Sequence, residues 1–416
     1  MHPLVLILLL FMLAALFFGL VPGTGAFVVR ARWRTFRGRL LEASTFPSVA
    51  YADEVRRSDG LLGEYRFIGT LEAIQGKDLI WLSDGHLSVA ALLEGVSIYI
   101  LPRYSFHSAG SPYEKLEDMM PDEQPQSLSW SRISSLPAGT QVFVAGTLFE
   151  EDGRRIFRQF ARSSLLVVIY DGETETILPR AIWGGRQKNE YWNQSTLISL
   201  ITGSFSLLLV SYVLLNDPAF GLPALFALTF SCFPVAPLLP PGFPLYFLYR
   251  GLWRRARFLR AERDLFGLPL RYFGGDSTES SWQHVVKDAV TLQSGEQYVM
   301  VHGRLENRGG WRVVSDGGSV AIEGELRIRG GTMPPESFQR DYYLFGAARS
   351  AKDGMVLFTP EDPMAELIAI PGHPSRLAAD CSRRARRLET IAAFFILGDL
   401  MMNLFLILLV LRYLMR

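Results

Sequence analysis

The sequence predicts a membrane protein with four helical spans and two duplicated all-β cytoplasmic domains, each a small barrel or OB-like. The 416 residues are 49% hydrophobic, with a mean hydropathy of +0.17, and this excess is concentrated in four stretches. Between the stretches, short β-rich runs alternate with Asp-Gly turns, a pattern typical of hairpins. A set of sequence features also occurs twice in the same order, which indicates an internal repeat.

Each of the four apolar stretches is long enough to cross a membrane, because about 20 apolar residues span the hydrocarbon core as a helix. The predicted spans are 1–29, 196–216, 219–249 and 390–412.

Prolines interrupt two of these spans. In the third, five prolines are concentrated between Pro234 and Pro244, and the first contains Pro22 before Gly23. An interior proline removes a helix hydrogen bond, so both spans are expected to end or bend near the cytoplasmic surface. Either a helix end with an interfacial stretch or a functional hinge would produce this pattern.

Basic residues predict the orientation of the chain. The first stretch has arginines after it and none before it, which favours a retained anchor over the alternative of a cleaved signal peptide. Arginine clusters also follow the third span and precede the fourth, whereas the link at Asp217 has none. The predicted β domains, 30–190 and 250–388, therefore face the cytoplasm. Both termini lie outside a plasma (bacterial inner) membrane.

The repeat includes the soluble domains. Gly69-Thr-Leu-Glu72 matches Gly303-Arg-Leu-Glu306, and Gly146 matches Gly346. The separation drifts between matches, as duplication followed by loop insertions would leave it. Residues 50–175 and 280–372 are therefore expected to superpose as two copies of one β fold. An acidic insertion in the first domain, about 103–135, is interpreted as a solvated loop or a partner-docking loop.

Basic and aromatic residues beside the first and third spans are predicted membrane-interface anchors, since such residues hold a helix at the lipid headgroups. The lipid bilayer is thus a predicted partner, and a net charge of +1 gives no reason to expect nucleic acid. The anchors are Arg30, Arg32, Trp33, Arg34, Arg250, Trp253, Arg254 and Arg255.

Asp399 lies near the middle of the fourth span, and a carboxylate in hydrocarbon needs a partner. Asn403, four residues on, shares its helical face. The second span offers Ser199, Gly203 and Ser206, which favour close helix packing. We therefore predict an intramembrane polar contact between the fourth and second spans, with a proton or ion relay and a partner subunit as alternatives.

No catalytic, metal or cofactor constellation is recognisable. The two cysteines are far apart, the six histidines are scattered, and neither a phosphate-binding glycine loop nor a nucleophile elbow occurs. The sequence therefore predicts a non-enzymatic scaffold or binding module with an unknown protein partner. The alternatives are a subunit of a transporter or membrane complex using Asp399 and, more remotely, a membrane hydrolase.

The run LPAGTQVFVAGTL from Leu136 to Leu148, followed by Leu165-Leu-Val-Val and then a span, resembles the GIDE-type module of membrane-bound ubiquitin ligases and its prokaryotic relatives. The resemblance covers only part of each unit. It implies a membrane-tethered interaction domain. The zinc-binding RING of those ligases has no counterpart here, so ligase activity is not implied.

Overall fold

A computed structural model describes most of the chain in two compact units. The described residues are 2–49, 60–102, 125–151, 153–160, 165–187, 191–273, 289–292, 295–307, 310–315, 318–330, 341–351 and 354–414. The membrane unit comprises Met1–Thr35, Gln187–Leu259 and Ser382–Arg416, and the barrel unit comprises Phe36–Arg186 and Arg260–Cys381. Most of both predicted β domains thus lies in one unit. The acidic residues of the predicted insertion, 114–123, lie outside the described residues.

Seven α-helices occur in the described residues. They are α1 (Pro3–Ala15), α2 (Val21–Ala43), α3 (Ile177–Gln187), α4 (Gln194–Leu214), α5 (Gly221–Ser231), α6 (Phe243–Arg271) and α7 (Pro374–Leu414), with a π-helical turn (Leu16–Leu20) joining α1 to α2. Among the described residues, three helices are long and apolar enough to cross a membrane: Pro3–Ala43, Gln194–Leu214 and Pro374–Leu414. The membrane class is therefore supported, whereas the described part of the chain contains no fourth continuous span.

The predicted span 219–249 is divided between two helices. Helix α5 ends at Ser231, a 3-10 turn covers Ala236–Leu238, and α6 begins at Phe243. Prolines at 234, 237, 240, 241 and 244 explain the break, since each removes a backbone donor. Helix α5 is about 16 Å long at 1.5 Å per residue, too short to cross a hydrocarbon core of about 30 Å alone.

The first span behaves differently at its proline. Helix continues through Pro22 to Ala43, so the expected end or bend at Pro22-Gly23 is not a break. The π-helical turn Leu16–Leu20 directly precedes Pro22. Such a turn is a common way for a helix to continue past a local irregularity in its hydrogen bonds.

The first β domain contains a closed ring of five strands. They are β1 (Leu61–Gln75), β2 (Leu79–Ser83), β3 (Ser88–Leu92), β6 (Gln141–Glu151) and β7 (Arg154–Arg158). The strands pair in the order β1-β2-β3-β7-β6, and the pairing of β6 with β1 closes the ring. Strands β3 and β7 are parallel to each other. Outside the ring, β8 (Leu166–Tyr170), β4 (Ser97–Ile100) and β5 (Gln126–Ser129) extend the sheet from β6.

The second β domain has a ring of the same order. Its strands are β10 (Gln297–Asn307), β11 (Trp311–Ser315), β12 (Gly318–Glu323), β14 (Asp341–Ala351) and β15 (Gly354–Phe358). Pairing runs β10-β11-β12-β15-β14 and returns to β10, with β12 and β15 parallel. The short strands β16 (Ile368–Ile370), β13 (Arg327–Ile328) and β9 (Val290–Thr291) extend this sheet. The predicted small barrels are therefore present.

The matched glycines lie at matching register positions. Gly69 is opposite Val142, and Gly303 is opposite Tyr342. Gly146 and Gly346 are opposite the residues that lie four positions before Gly69 on β1 and four positions before Gly303 on β10. A Cβ atom at Gly69 would lie 2.7 Å from the carbonyl oxygen of Ser83, and one at Gly303 would lie 2.5 Å from that of Val314. Neither position has room for a side chain, because a neighbouring strand approaches too closely.

Candidate functional site

The predicted intramembrane residues Asp399 and Asn403 are buried, with exposed fractions of 0% and 1%, and they face the break between α5 and α6. The Asn403 Nδ2 atom donates to the carbonyl oxygens of Ala236 at 2.7 Å and Leu239 at 3.1 Å, and to Asp399 Oδ1 at 2.8 Å. Asn403 Oδ1 accepts from the Gly242 N–H at 3.3 Å. One amide therefore satisfies backbone groups that the broken helix leaves unpaired.

Gly242 allows this close approach. A Cβ atom there would lie 1.8 Å from Asp399 Oδ1 and 2.2 Å from Asn403 Nδ2. The backbone just before α6 therefore lies directly against the two polar side chains. Asp399 Oδ2, although buried, has no hydrogen-bond partner among the described residues.

The second span makes a different contact from the predicted one. Ser199 Oγ donates to the carbonyl oxygen of Phe17 at 2.7 Å, and a Cβ atom at Gly203 would lie 2.5 Å from the Cβ of Phe17. Ser206 on the same helix is half-buried. This face packs against the π-helical turn, so the predicted contact between Asp399 and the second span is wrong.

Two further polar residues before α4 support the first helix, and sequence reasoning missed both. Tyr191 donates its hydroxyl hydrogen to the carbonyl oxygen of Phe18 at 3.0 Å, and Asn193 Nδ2 donates to that of Pro22 at 3.1 Å. Asn193 also caps α4 with Thr196 in a capping box. Asn followed by Thr just before an apolar run is a sequence signal for such a cap, although it does not indicate the contact with Pro22.

The predicted interface anchors divide into two groups. The arginines at 30, 32, 34, 250, 254 and 255 are exposed. Trp33 is only 3% exposed, so it packs within the protein and the prediction of an anchor at this position is wrong. Trp253 is half-buried, and the guanidinium of Arg257 lies 4.7 Å from its ring centroid.

Buried polar contacts tie the two barrels together within their unit. Arg66 on β1, with a side chain 2% exposed, pairs with the carboxylate of Asp362, and its Nε donates to the carbonyl oxygen of Phe46 at 2.7 Å. The Tyr272 hydroxyl lies 3.1 and 2.9 Å from the carbonyl oxygens of Ser44 and Met364. Burial raises the pKa of this hydroxyl, against the opposing effect of Arg66.

A cavity of about 400 Å³ lies beside this cluster. Its lining residues are Thr45, Phe46, Pro47, Arg271, Tyr272, Val290, Thr291, Leu292 and Asp362.

The outer face of the first barrel presents aromatic and basic side chains. Register pairing places Trp81, Ala90, Ile156 and Phe149 in one row across four strands. Phe160, 48% exposed, packs edge-on against Phe149 at 5.4 Å between centroids. We call Trp81, Phe149, Ile156 and Phe160 the outer aromatic face.

Arginines lie over these rings. The Arg158 guanidinium is 5.8 Å from the Phe149 ring, and that of Arg154 is 5.9 Å from the Trp81 ring. In the second barrel, Arg349 is 5.5 Å from the Phe358 ring. Aromatic and arginine side chains are the ones most enriched at protein–protein hot spots.

Comparison with known proteins finds no matching family model, no similar curated protein and no similar solved structure. Within the described ranges, no three His, Cys, Asp or Glu side chains lie together as they would around a metal ion.

Proposed function

We propose that this chain is a non-enzymatic scaffold of the bacterial inner membrane, whose two cytoplasmic barrels act as one binding module for a protein partner. The observation that carries the proposal is the buried link between the barrels. Because Arg66 and Asp362 form an ion pair in which the Arg66 side chain is 2% exposed, the barrels keep a fixed geometry. A pre-organised surface binds without the entropic cost of ordering two separate domains.

Membrane placement follows from the helices and the basic residues. In this proposal, α5, the proline-rich break and the start of α6 together make the fourth crossing as a discontinuous span. Irregular backbone is tolerated at membrane depth where protein groups satisfy it, and Asn403 supplies such groups. With the exposed arginines on the cytoplasmic side, both barrels lie in the cytoplasm and both termini outside.

Labelling of single cysteines in intact cells tests this topology. With Cys232 and Cys381 replaced, a cysteine at position 217 should react with a membrane-impermeant reagent, and cysteines at 120 and 335 should not. All three should react after the membrane is permeabilised. The opposite accessibility would overturn the cytoplasmic placement.

We further propose that the halves arose by duplication of a unit with an OB-like barrel. In support, both rings share one strand order, one parallel pair and the same glycine registers. A five-stranded ring in this order agrees with an OB-like barrel, a fold that often binds ligands on an outer strand face. The resemblance to GIDE-type modules is compatible with one barrel for each pair of spans, and it stays a prediction.

The outer aromatic face is the proposed contact surface. A photo-crosslinking amino acid at Phe160 or Trp81 should give an adduct with one and the same protein in cells. The matched control is Glu94, an exposed residue in the turn after β3. Adducts of equal yield at Glu94, or with lipid alone at Phe160 and Trp81, would count against the binding module.

The alternative, a subunit of a transporter or membrane complex using Asp399, is favoured by one observation. Asp399 is buried in the membrane unit beside a broken helix, an arrangement that transporters use for coupling ions. Asp399→Asn discriminates between the two functions. A scaffold should keep its crosslinks with this variant, whereas an ion-coupled complex should lose activity while the crosslinks persist.

A further inference from the structure

We propose that Asp399 is a proton-binding site in the membrane unit, and that the bound proton holds α7 against the break between α5 and α6. This inference is independent of the binding module, since it concerns different residues in a different unit.

The carboxyl group of Asp399 is buried and incompletely hydrogen-bonded. Asp399 is 0% exposed. Its Oδ1 accepts one hydrogen bond, from Asn403 Nδ2, and its Oδ2 has no partner among the described residues. An ionised carboxylate with a single neutral hydrogen bond is strongly disfavoured in hydrocarbon.

The described residues around Asp399 provide no compensating charge. The segment that faces it, Ala236 to Gly242, has no ionisable side chain. The nearest titratable side chains beyond Gly242 along α6 are the hydroxyls of Tyr246 and Tyr249, and α7 has no basic residue between Arg387 and Arg412. The helices α4 and α5 carry no charged residue at all. A proton therefore neutralises the carboxylate where no arginine or lysine does.

The space around Asp399 suits a proton better than a metal cation. Asn403 Nδ2 already occupies the space between Asp399 Oδ1 and the carbonyl oxygens of Ala236 and Leu239. Only Oδ2 remains, whereas hard metal cations take about six oxygen ligands. A proton needs one.

Neutral Asp399 lets Gly242 and Asn403 pack against it without a buried charge. Loss of the proton would leave a buried carboxylate whose Oδ2 has no donor, and water would have to enter to hydrate it. The contact between α7 and the break is then weakened. The proton on Asp399 thus stabilises the irregular backbone before α6.

Labelling with dicyclohexylcarbodiimide tests the proposal, because this apolar reagent modifies protonated carboxyl groups in apolar surroundings. The full-length protein in detergent micelles is treated across a pH series, and modification is located by peptide mass spectrometry. Asp399 should be modified at neutral pH, and the yield should fall at alkaline pH. Asp217, exposed in the link before α5, is the internal control and should not be modified at neutral pH.

Two further arms keep the outcome decisive. Replacing choline chloride by sodium chloride should leave the labelling yield unchanged. Protection of Asp399 by sodium would show that the site binds a cation and not a proton. Asp399→Asn, a neutral isostere, should match the wild type in melting temperature at neutral pH and exceed it at alkaline pH. Equal melting temperatures at every pH together with no modification of Asp399 would overturn the proposal.

Discussion

The two halves of the chain differ in which of their helices is interrupted. In the first half, the entering helix is continuous from Pro3 to Ala43, and the leaving helices α3 and α4 are separate. In the second half, the entering helices α5 and α6 are separate, and the leaving helix α7 is continuous from Pro374 to Leu414. Each half therefore has one 41-residue helix and one interrupted pair.

In each half, a side chain of the leaving helix donates a hydrogen bond to backbone carbonyls of the entering helix. Ser199 donates to Phe17 at the π-helical turn. Asn403 donates to Ala236 and Leu239 at the break. In the first half, the carbonyl oxygens next to the turn are bonded by separate side chains, those of Ser199, Tyr191 and Asn193. In the second half, the single amide of Asn403 bonds three backbone groups at the break.

The two barrels also differ in the residue at one equivalent register position. Arg66 lies opposite Ala145 on β6, and Met300 lies opposite Phe345 on β14 at the equivalent place. At this register position, the first barrel therefore carries a cation that reaches the second barrel, and the second barrel carries an uncharged methionine.

The largest effect on stability is expected from replacing Arg66 by methionine, the residue at the equivalent position of the second barrel. Arg66→Met leaves Asp362 without its ion-pair partner and should lower the free energy of unfolding by about 3 kcal/mol, since breaking a buried pair strands the other charge. Asp362 is 21% exposed, which limits the cost. Denaturant titration of the purified protein measures it. The double variant Arg66→Met with Asp362→Leu should recover part of the loss, and an additive double variant would show that the two residues are not coupled.

Gly242→Ala should be next in size, because its Cβ would overlap Asp399 Oδ1. A loss of about 2 to 3 kcal/mol is expected from overpacking and displaced hydrogen bonds, read out as a lower melting temperature in detergent. Gly23→Ala in the first half is the matched control, since nothing lies within 4 Å of its added Cβ atom. Similar melting temperatures for the two variants would show that the break is not packed against α7.

Asn403→Leu and Ser199→Ala compare the two supporting contacts directly. The first removes several hydrogen bonds and should cost about 2 kcal/mol, whereas the second removes one and should cost about 0.6 kcal/mol, as single intramembrane hydrogen bonds do. Melting temperatures of both variants in the same detergent decide the order. A larger loss for Ser199→Ala would reverse the comparison.

The smallest effect on stability is expected at the barrel surface, where each barrel has an arginine–aromatic pair. The strand that carries the arginine in one barrel carries the aromatic residue in the other. Arg158 lies over Phe149 in the first barrel, and Arg349 lies over Phe358 in the second, with arginine and aromatic residue on opposite strands. The exchange Phe149→Arg with Arg158→Phe should change the unfolding free energy by less than about 0.5 kcal/mol, and Arg158→Ala should cost about that much. If the exchange is clearly worse than Arg158→Ala, the two pairs are not equivalent.

Part of the intramembrane site could be predicted, because it depends on residue type and on position within an apolar stretch. A buried Asp399 with Asn403 on its face follows from hydropathy and helical spacing. The partner of Asn403 could not be predicted in this way, because it is a set of backbone carbonyls freed at the prolines, and a pattern of polar side chains does not reveal them. Register shows a similar limit. Ser83 and Ser315 match in sequence, yet Ser83 pairs with Thr70 while Val314 pairs with Arg304 at the equivalent position.

The apolar helices, the two β domains and the order of their repeated features are encoded locally along the chain. These properties depend on local composition, on period and on turn residues. In contrast, the burial of Trp33, the contact of Arg66 with Asp362 and the position of Asp399 against the proline-rich break are visible only in the folded chain. Each of these depends on contacts between residues distant in sequence, where packing and unsatisfied backbone groups select the partner.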